Sequence, residues 1–154
     1  MKRAGIIGWP VSHSLSPLLH GHWLTQYGID GEYLRLAAPP EEFEKAMARA
    51  RAEGFAGVNV TVPHKEAAFK LSERRDRAAE ICGAVNLLLF TKSDVEGCNT
   101  DHIGLEHSLT ENLGAGGISG KTVALLGAGG AARAALLALD EMGAAQIHIL
   151  NRHQ

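Results

Sequence analysis

The fold of this chain is decided by the stretch Gly57-Val58-Asn59-Val60-Thr61-Val62-Pro63-His64-Lys65. Its valines alternate with polar residues, and this period of two is typical of a strand with one apolar face and one polar face. Pro63 cannot donate to a ladder, so the predicted strand ends there, and the composition from His64 to Leu71 favours a helix. Lys65 therefore lies at a strand-to-helix junction, where open α/β sheets place their ligands.

Two interpretations of Lys65 are open at this point. A lysine at such a junction can donate a proton to a substrate oxygen, provided that the site is closed enough to tune its pKa. It can equally be an exposed lysine that opens a helix, which is the commoner environment for this residue type.

Length and composition exclude several classes of protein. With 154 residues and a formal net charge of -2, the chain is long enough for one ordinary domain and carries no basic stripe typical of nucleic-acid binding. Glycines and a proline interrupt its first apolar run, which makes a poor signal peptide, and no segment is long enough to cross a membrane. The two cysteines lack metal-ligand spacing and a disulfide framework, so we expect no metal site and a cytoplasmic location.

Upstream of the central stretch, residues Ala4 to Gly8 are typical of a short buried strand. The pair Ser16-Pro17 then predicts a helix start, with serine as the N-cap and proline at the first helical position. This helix is expected to reach about Tyr27, and apolar residues recur along it every four positions, at Leu19, Trp23 and Tyr27.

Two serines precede that helix. Ser14 and Ser16 are two residues apart, so in extended backbone their hydroxyls point the same way. Two hydroxyls beside a helix N-terminus suit a carboxylate ligand. The alternative is a turn serine followed by a capping serine, with no ligand.

The next elements alternate in the order typical of a parallel sheet. They are a strand from Tyr33 to Ala37, a helix opening at Pro39 and closing at Gly54, and, after the Lys65 helix, a helix from Glu73 to Ile81. The inner face of the helix between Pro39 and Gly54 is predicted to carry Phe43, Met47 and Ala50. Ser72 is predicted to cap the helix that begins at Glu73. The order predicts an α/β fold with a mainly parallel sheet and helices on both faces.

A hairpin is predicted next, from Val85 to Thr91 and back from Val95 to Asn99. Asn86 begins its first arm, and the simplest interpretation of Asn86 is a strand-end amide. Asp101 follows the second arm and opens a helix, where the simplest role is an N-cap.

The last part of the chain predicts a Rossmann-like βαβ unit after a glycine-rich boundary at Gly114 to Gly120. A short apolar strand leads into Gly127-Ala128-Gly129-Gly130-Ala131, and a helix and a second strand follow. Glycines at such a junction let backbone N–H groups approach a pyrophosphate at the helix N-terminus.

The end of the second strand indicates which nucleotide binds. NAD-binding units usually carry an acidic residue there, to bind the ribose 2′-hydroxyl. This chain has Asn151-Arg152, and a guanidinium suits a 2′-phosphate, which favours NADP(H). An ordinary loop arginine is the alternative. His153 follows, and its imidazole can also face a 2′-phosphate.

Taken together and in this order, these motifs resemble those of the shikimate dehydrogenases over essentially the whole chain. The matching segments are Gly8-x-Pro10-Val11-x-His13-Ser14-x-Ser16-Pro17, Asn59-Val60-Thr61-Val62-Pro63-x-Lys65, Gly83-Ala84-Val85-Asn86, Asn99-Thr100-Asp101, Gly127-Ala128-Gly129-Gly130-Ala131-Ala132-Arg133 and Asn151-Arg152.

The resemblance implies NADPH-dependent, reversible reduction of 3-dehydroshikimate to shikimate, in aromatic amino acid biosynthesis. It implies that Ser14 and Ser16 hold the substrate carboxylate and that Thr61 and Asn86 bind ring oxygens. Lys65 and Asp101 become the catalytic pair, with Asp101 orienting Lys65 and favouring its charged form. The cofactor-binding residues implied are Gly127, Ala128, Gly129, Gly130, Ala131, Asn151 and Arg152.

The implied domains are a substrate-binding catalytic domain at residues 1–112 and the first βαβ unit of an NADP-binding domain at residues 113–154. Because members of the family continue well beyond such a unit, we expect the chain to be a fragment. Two alternatives are a quinate/shikimate dehydrogenase that prefers NAD, and a module that binds shikimate-like acids without reducing them. A homodimer is also compatible with the resemblance.

Overall fold

A six-stranded sheet organises the first part of the chain in the computed structural model, which describes residues 1–152. Its strands are β1 (Lys2–Gly8), β2 (Gly31–Ala37), β3 (Phe55–Val60), β4 (Arg74–Arg75), β5 (Leu87–Phe90) and β6 (Val95–Cys98), in the spatial order β2-β1-β3-β5-β6-β4. The pairs β1–β2, β1–β3 and β4–β6 are parallel, whereas β5 is antiparallel to both β3 and β6. The prediction of an α/β fold with a mainly parallel sheet is confirmed.

The described residues form two units. Unit 1 comprises Met1–Arg75 and Ala84–Cys98, and unit 2 comprises Asp76–Gly83 and the residues from Asn99 onward. The predicted division after residue 112 stays a prediction. Helix α5 (Asp101–Leu113), which precedes that division, belongs to the same unit as the βαβ element.

The helices of unit 1 are α1 (Ser16–Gln26), α2 (Phe43–Ala52), which follows a 3-10 turn at Pro40–Glu42, and α3 (Lys65–Leu71). The inner face predicted for α2 is confirmed, because Phe43, Met47 and Ala50 are at most 3% exposed. On β3 the apolar face carries Val58 and Val60, at 1% and 2% exposure.

Val62 does not continue the apolar face of β3. The strand ends at Val60, so the two-residue period no longer applies, and Val62 is 68% exposed.

The start of α1 differs from the prediction. Ser16 is the first helical residue and not the N-cap, because Leu15 already has helical backbone angles and its carbonyl accepts a hydrogen bond from the Leu19 N–H at 3.1 Å. No residue of α1 is buried, and the side chains of Leu19, Trp23 and Tyr27 are 47%, 41% and 68% exposed. The four-residue spacing therefore marks a helix face that the described residues leave open to solvent.

The segment after α3 also differs. The predicted helix from Glu73 to Ile81 is wrong in its first half, since the Glu73 N–H donates to the Val95 carbonyl and β4 pairs with β6. Helix α4 (Arg77–Cys82) begins later, and its N-cap is Asp76, whose carboxylate accepts from the Ala79 N–H at 2.6 Å. Ser72 is therefore not the cap. Long-range pairing with β6 satisfies backbone groups that a helix would otherwise have to satisfy.

Unit 2 contains the predicted βαβ unit. Strands β7 (Thr122–Leu126) and β8 (Gln146–Leu150) are parallel and are connected by α6 (Gly130–Glu141). Helix α6 packs on α4 and α5 and buries Ala134, Ala138 and Leu139. None of the helices within residues 1–152 has the length and apolar character needed to cross a lipid bilayer.

Candidate functional site

The carboxyl ends of β1 and β3 are joined by backbone hydrogen bonds. The Thr61 N–H donates to the Ile7 carbonyl at 2.9 Å, and the Trp9 N–H donates to the Val62 carbonyl at 3.0 Å. The loop that carries the serines and the loop that leads to Lys65 therefore leave the sheet side by side, as parallel strands require.

Gly8 makes this close approach possible. A Cβ atom built on Gly8 would lie 2.5 Å from Cγ2 of Thr61 and 3.2 Å from the Val62 carbonyl oxygen. A side chain at position 8 would therefore displace Thr61, one of the predicted substrate-binding residues.

Asn86 lies at the same end of the sheet, although it precedes its strand. Because β5 runs antiparallel to β3, the start of β5 is beside the end of β3, and the Val60 N–H donates to the Asn86 carbonyl at 2.8 Å. The Asn86 N–H donates to the Cys98 carbonyl at 3.0 Å. The backbone of Asn86 is therefore hydrogen-bonded to β3 on one side and to β6 on the other, and this fixes the point from which its amide side chain extends.

Lys65 is the first residue of α3, and its carbonyl accepts a hydrogen bond from the Val85 N–H at 2.9 Å. Lys65 and Asn86 therefore stand on adjoining segments of unit 1. The preceding residue, His64, is 1% exposed, its Nε2 lies 2.9 Å from the Ala38 carbonyl oxygen, and its ring stacks on Phe43. The sequence pattern did not single out His64, which anchors the start of the helix that carries Lys65.

The serine loop is held by side chains that the sequence pattern also did not indicate. The Ser16 N–H donates to Oγ of Ser14 at 3.3 Å. Nε and Nη2 of Arg35 both donate to the Ser14 carbonyl, at 3.1 and 2.6 Å. Nδ1 of His20 lies 2.9 Å from the Ser16 carbonyl oxygen. In an alternating strand an arginine predicts only an outward-facing charge, so no local signal distinguishes Arg35.

An apolar groove of about 510 Å³ lies between α1 and the sheet of unit 1, away from these candidates. Within the described part of the chain it is lined in part by Trp23, Leu24 and Leu89, and by none of the five predicted substrate-site residues of unit 1. Tyr33 also lines the groove. Its hydroxyl donates to Oδ1 of Asn59 at 2.6 Å, and burial raises the pKa of Tyr33 to about 12.

Asp101, in unit 2, is the first residue of α5, so the simple interpretation of Asp101 as an N-cap is wrong. Its backbone N–H donates to Oδ1 of Asn99 at 3.0 Å. Asn99 is 1% exposed, and its own N–H lies 3.2 and 3.3 Å from the two carboxylate oxygens of Asp76. Asp76 thus links the start of α4 with the segment that carries Asp101.

The surroundings of Asp101 carry negative charge. Burial raises the pKa of the Cys82 thiol, and the carboxylates of Asp101 and Asp76 raise it further, whereas the Arg133 guanidinium acts in the opposite direction. Nη1 of Arg133 also donates to the Cys82 carbonyl at 3.3 Å. An arginine of α6 therefore binds the end of α4 close to these acids.

The glycine turn of unit 2 has the backbone that a pyrophosphate requires. Gly127 has φ +105°, which favours glycine, and Gly129 is the extended N-cap of α6. A Cβ added at either glycine would meet nothing within 4 Å, so the space beside the turn is open. The first N–H groups of α6, from Gly130 and Ala131, have no acceptor within the helix. With Ala128 they form a backbone that fits a dinucleotide phosphate.

The end of β8 is beside this turn, because the Gly127 N–H donates to the Leu150 carbonyl at 2.8 Å. Asn151 and Arg152 follow directly, so the sequence-predicted cofactor residues lie in one part of unit 2. His153 lies outside the described residues.

Comparison with known proteins identifies a matching family model. Residues 6–88 match the model described as the shikimate dehydrogenase substrate binding domain. An NADP⁺-dependent shikimate dehydrogenase of Mesorhizobium japonicum is 47% identical over 151 residues, which are 98% of this chain and 54% of that protein. The chain spans about half the length of the curated relatives it matches.

Solved structures of shikimate dehydrogenases are also similar to this chain. The shikimate dehydrogenase of Aquifex aeolicus has a TM-score of 0.93 at 38% identity, covering 99% of this chain and 56% of that one. The enzyme of Thermus thermophilus, solved with NADP(H) and shikimate, has a TM-score of 0.87 at 38% identity, covering 99% and 57%.

Proposed function

The chain belongs to the shikimate dehydrogenase family, and from this premise we propose that it functions in the NADPH-dependent, reversible reduction of 3-dehydroshikimate to shikimate. The observation that carries the proposal is the hydrogen-bonded end of the sheet in unit 1. There the loops after β1 and β3 and the start of β5 are bonded to one another through Thr61, Lys65 and Asn86. Polar side chains on three such segments suit a small ring with several hydroxyl groups.

Ser14 and Ser16 are proposed to bind the substrate carboxylate, since hydroxyl groups can donate to both of its oxygens. Thr61 and Asn86 are proposed to bind ring oxygens. Their backbones are bonded to β1, β3 and β6, which limits the movement of their side chains and reduces the entropy lost on binding.

Lys65 and Asp101 are proposed as the catalytic residues. Reduction of a ketone leaves negative charge on oxygen, and the Lys65 ammonium is suited to stabilise that charge and to donate the proton. A carboxylate such as that of Asp101 can accept a hydrogen bond from a substrate hydroxyl. A double-mutant cycle on these two residues measures whether they act together.

NADPH, when bound, supplies the hydride. We propose that residues 127–131 hold its pyrophosphate, which the open space beside Gly127 and Gly129 supports, and that Arg152 binds the 2′-phosphate. In this proposal residues 1–112 are the substrate-binding domain and residues 113–154 the first βαβ unit of the NADP-binding domain. A cytoplasmic location is proposed because two cysteines give no disulfide framework. A homodimer is also proposed, and light scattering tests it.

The decisive experiment follows NADPH absorbance with 3-dehydroshikimate and the 154-residue chain at high protein concentration. We expect Lys65→Ala to reduce any turnover by at least about a hundredfold, as for loss of a general acid. Lys70→Ala, an exposed lysine on the same helix, is the control and should retain activity.

Binding of shikimate without any consumption of NADPH would contradict the oxidoreductase proposal and favour a binding module. Turnover of quinate with NAD⁺ in preference to shikimate with NADP⁺ would favour the quinate/shikimate alternative. Equal activity in Lys65→Ala and the parent chain would remove Lys65 from the catalytic pair.

A further inference from the structure

We propose that Arg35 is a positioning residue of the carboxylate site, holding Ser14 in place and supplying the positive charge that the two serines lack. This inference rests on the proposed function, in which Ser14 and Ser16 bind the substrate carboxylate. It adds a residue of β2 that no sequence motif indicated.

The geometry of Arg35 is that of a two-donor clamp. Nε and Nη2 both donate to the carbonyl oxygen of Ser14, at 3.1 and 2.6 Å, although the residues are 21 positions apart in the chain. The planar guanidinium fixes the direction of both donors, so the Ser14 peptide is held in one orientation. The Ser14 hydroxyl, which accepts from the Ser16 N–H, is held with it.

The charge of Arg35 is not neutralised within the described part of the chain. Arg3, Arg49 and Arg74 of the same unit each have a carboxylate within 4 Å, at Glu32, Glu53 and Glu96 respectively. Among residues 1–152 the Arg35 guanidinium has no such partner, and its hydrogen bonds go to the Ser14 carbonyl. A positive charge is thus fixed to the residue whose hydroxyl is proposed to bind an anion.

This charge has a specific consequence for the ligand. Serine hydroxyls are neutral, and a carbonyl oxygen near a carboxylate is repulsive unless it is itself hydrogen-bonded. The Arg35 guanidinium donates hydrogen bonds to the Ser14 carbonyl oxygen, which weakens the repulsion between that oxygen and a carboxylate. Its positive charge also attracts an anion. It therefore favours a carboxylate over an uncharged ester of the same shape.

The test compares shikimate with its methyl ester by calorimetric titration of the 154-residue chain. Arg35→Leu should raise the dissociation constant of shikimate roughly tenfold, and that of the ester less than about twofold, because only the acid loses an ionic interaction. Arg49→Leu removes the same charge from a surface helix and should change neither constant.

Arg35→Lys retains the charge without the planar fork, and it should recover most of the preference for the acid over the ester. Circular dichroism checks that each variant is folded. The role of Arg35 would be overturned if Arg35→Leu weakened the binding of acid and ester equally, or if Arg35→Lys did not recover the preference for the acid. Either result would leave the serine site intact. If the parent chain itself does not prefer the acid to the ester, the serine site fails, and the inference fails with it.

Discussion

The buried side chain of Asn99 accepts a hydrogen bond from the backbone N–H of Asp101 at 3.0 Å. Through its own N–H, Asn99 is bonded to the Asp76 carboxylate that also caps α4. The position of one proposed catalytic residue therefore depends on a polar side chain that is buried from solvent.

Replacing this side chain should destabilise unit 2. Asn99→Ala leaves the Asp101 N–H without its acceptor, and we expect a loss of about 1–2 kcal/mol in the free energy of unfolding. Urea denaturation measures it. Asn112→Ala, at an exposed position of α5, should change stability by less than about 0.5 kcal/mol. Equal effects of the two substitutions would contradict the structural role of Asn99.

Substitution by alanine should change the stability of unit 1 in opposite directions at two of its glycines. In Gly8→Ala the new Cβ would meet Thr61 Cγ2 at 2.5 Å, so we expect a loss of about 1–3 kcal/mol and weaker shikimate binding. Gly21 lies within α1 with nothing within 4 Å of a Cβ, so Gly21→Ala should gain up to about 1 kcal/mol from helix propensity. Thermal denaturation measures the Tm of each variant, which should fall in Gly8→Ala and rise in Gly21→Ala. Stabilisation by Gly8→Ala would show that the two loops are less close than described.

Tyr33 should control part of the stability at alkaline pH. Its pKa is raised by burial to about 12 in the folded chain, above the unfolded value near 10. The contribution of Tyr33 is therefore fully present below pH 10 and is lost as the pH rises through 12. Ultraviolet absorbance of the phenolate follows the titration, and Tyr33→Phe should remove the step near pH 12. A step that survives in Tyr33→Phe would refute the assignment.

The two serines should affect substrate without affecting the nucleotide. Each hydroxyl donated to a carboxylate contributes about 1.5 kcal/mol, so Ser14→Ala with Ser16→Ala should weaken shikimate binding roughly a hundredfold. NADPH binding, measured by fluorescence, should stay unchanged. Ser93→Ala, in the exposed turn of the hairpin, is the control. An unchanged affinity for shikimate in the double variant would remove the serines from the site.

Arg152 should distinguish the two nicotinamide cofactors. Arg152→Ala removes the guanidinium proposed to bind the 2′-phosphate, so we expect NADPH binding to fall about tenfold or more and NADH binding to change little. Parallel fluorescence titrations with the two cofactors measure the ratio. A ratio equal to that of the parent chain would mean that another residue binds the phosphate.

Much of the fold could be predicted because its signals are local. The alternation of Val58 and Val60 with Asn59, the apolar spacing along α2, and the glycines at positions 83 and 127 each depend on a few neighbouring residues. Where a distant strand competes, local signals fail. Glu73 bonds to Val95 instead of entering a helix, and the cap therefore moves from Ser72 to Asp76.

By itself, the sequence determined the α/β class, the βαβ unit with its glycine turn, and the set of polar residues from Ser14 to Arg152 that marks the family. Backbone periodicity and glycine conformations are properties of short segments, so they can be read from the chain directly. Only the tertiary structure decided which side chains hold those residues: Arg35 on Ser14, Asp76 on Asn99, and His64 beneath the start of α3. Those contacts depend on strand pairing and on buried polar groups finding partners, and the partners of Arg35 and His64 lie more than twenty residues away in the chain.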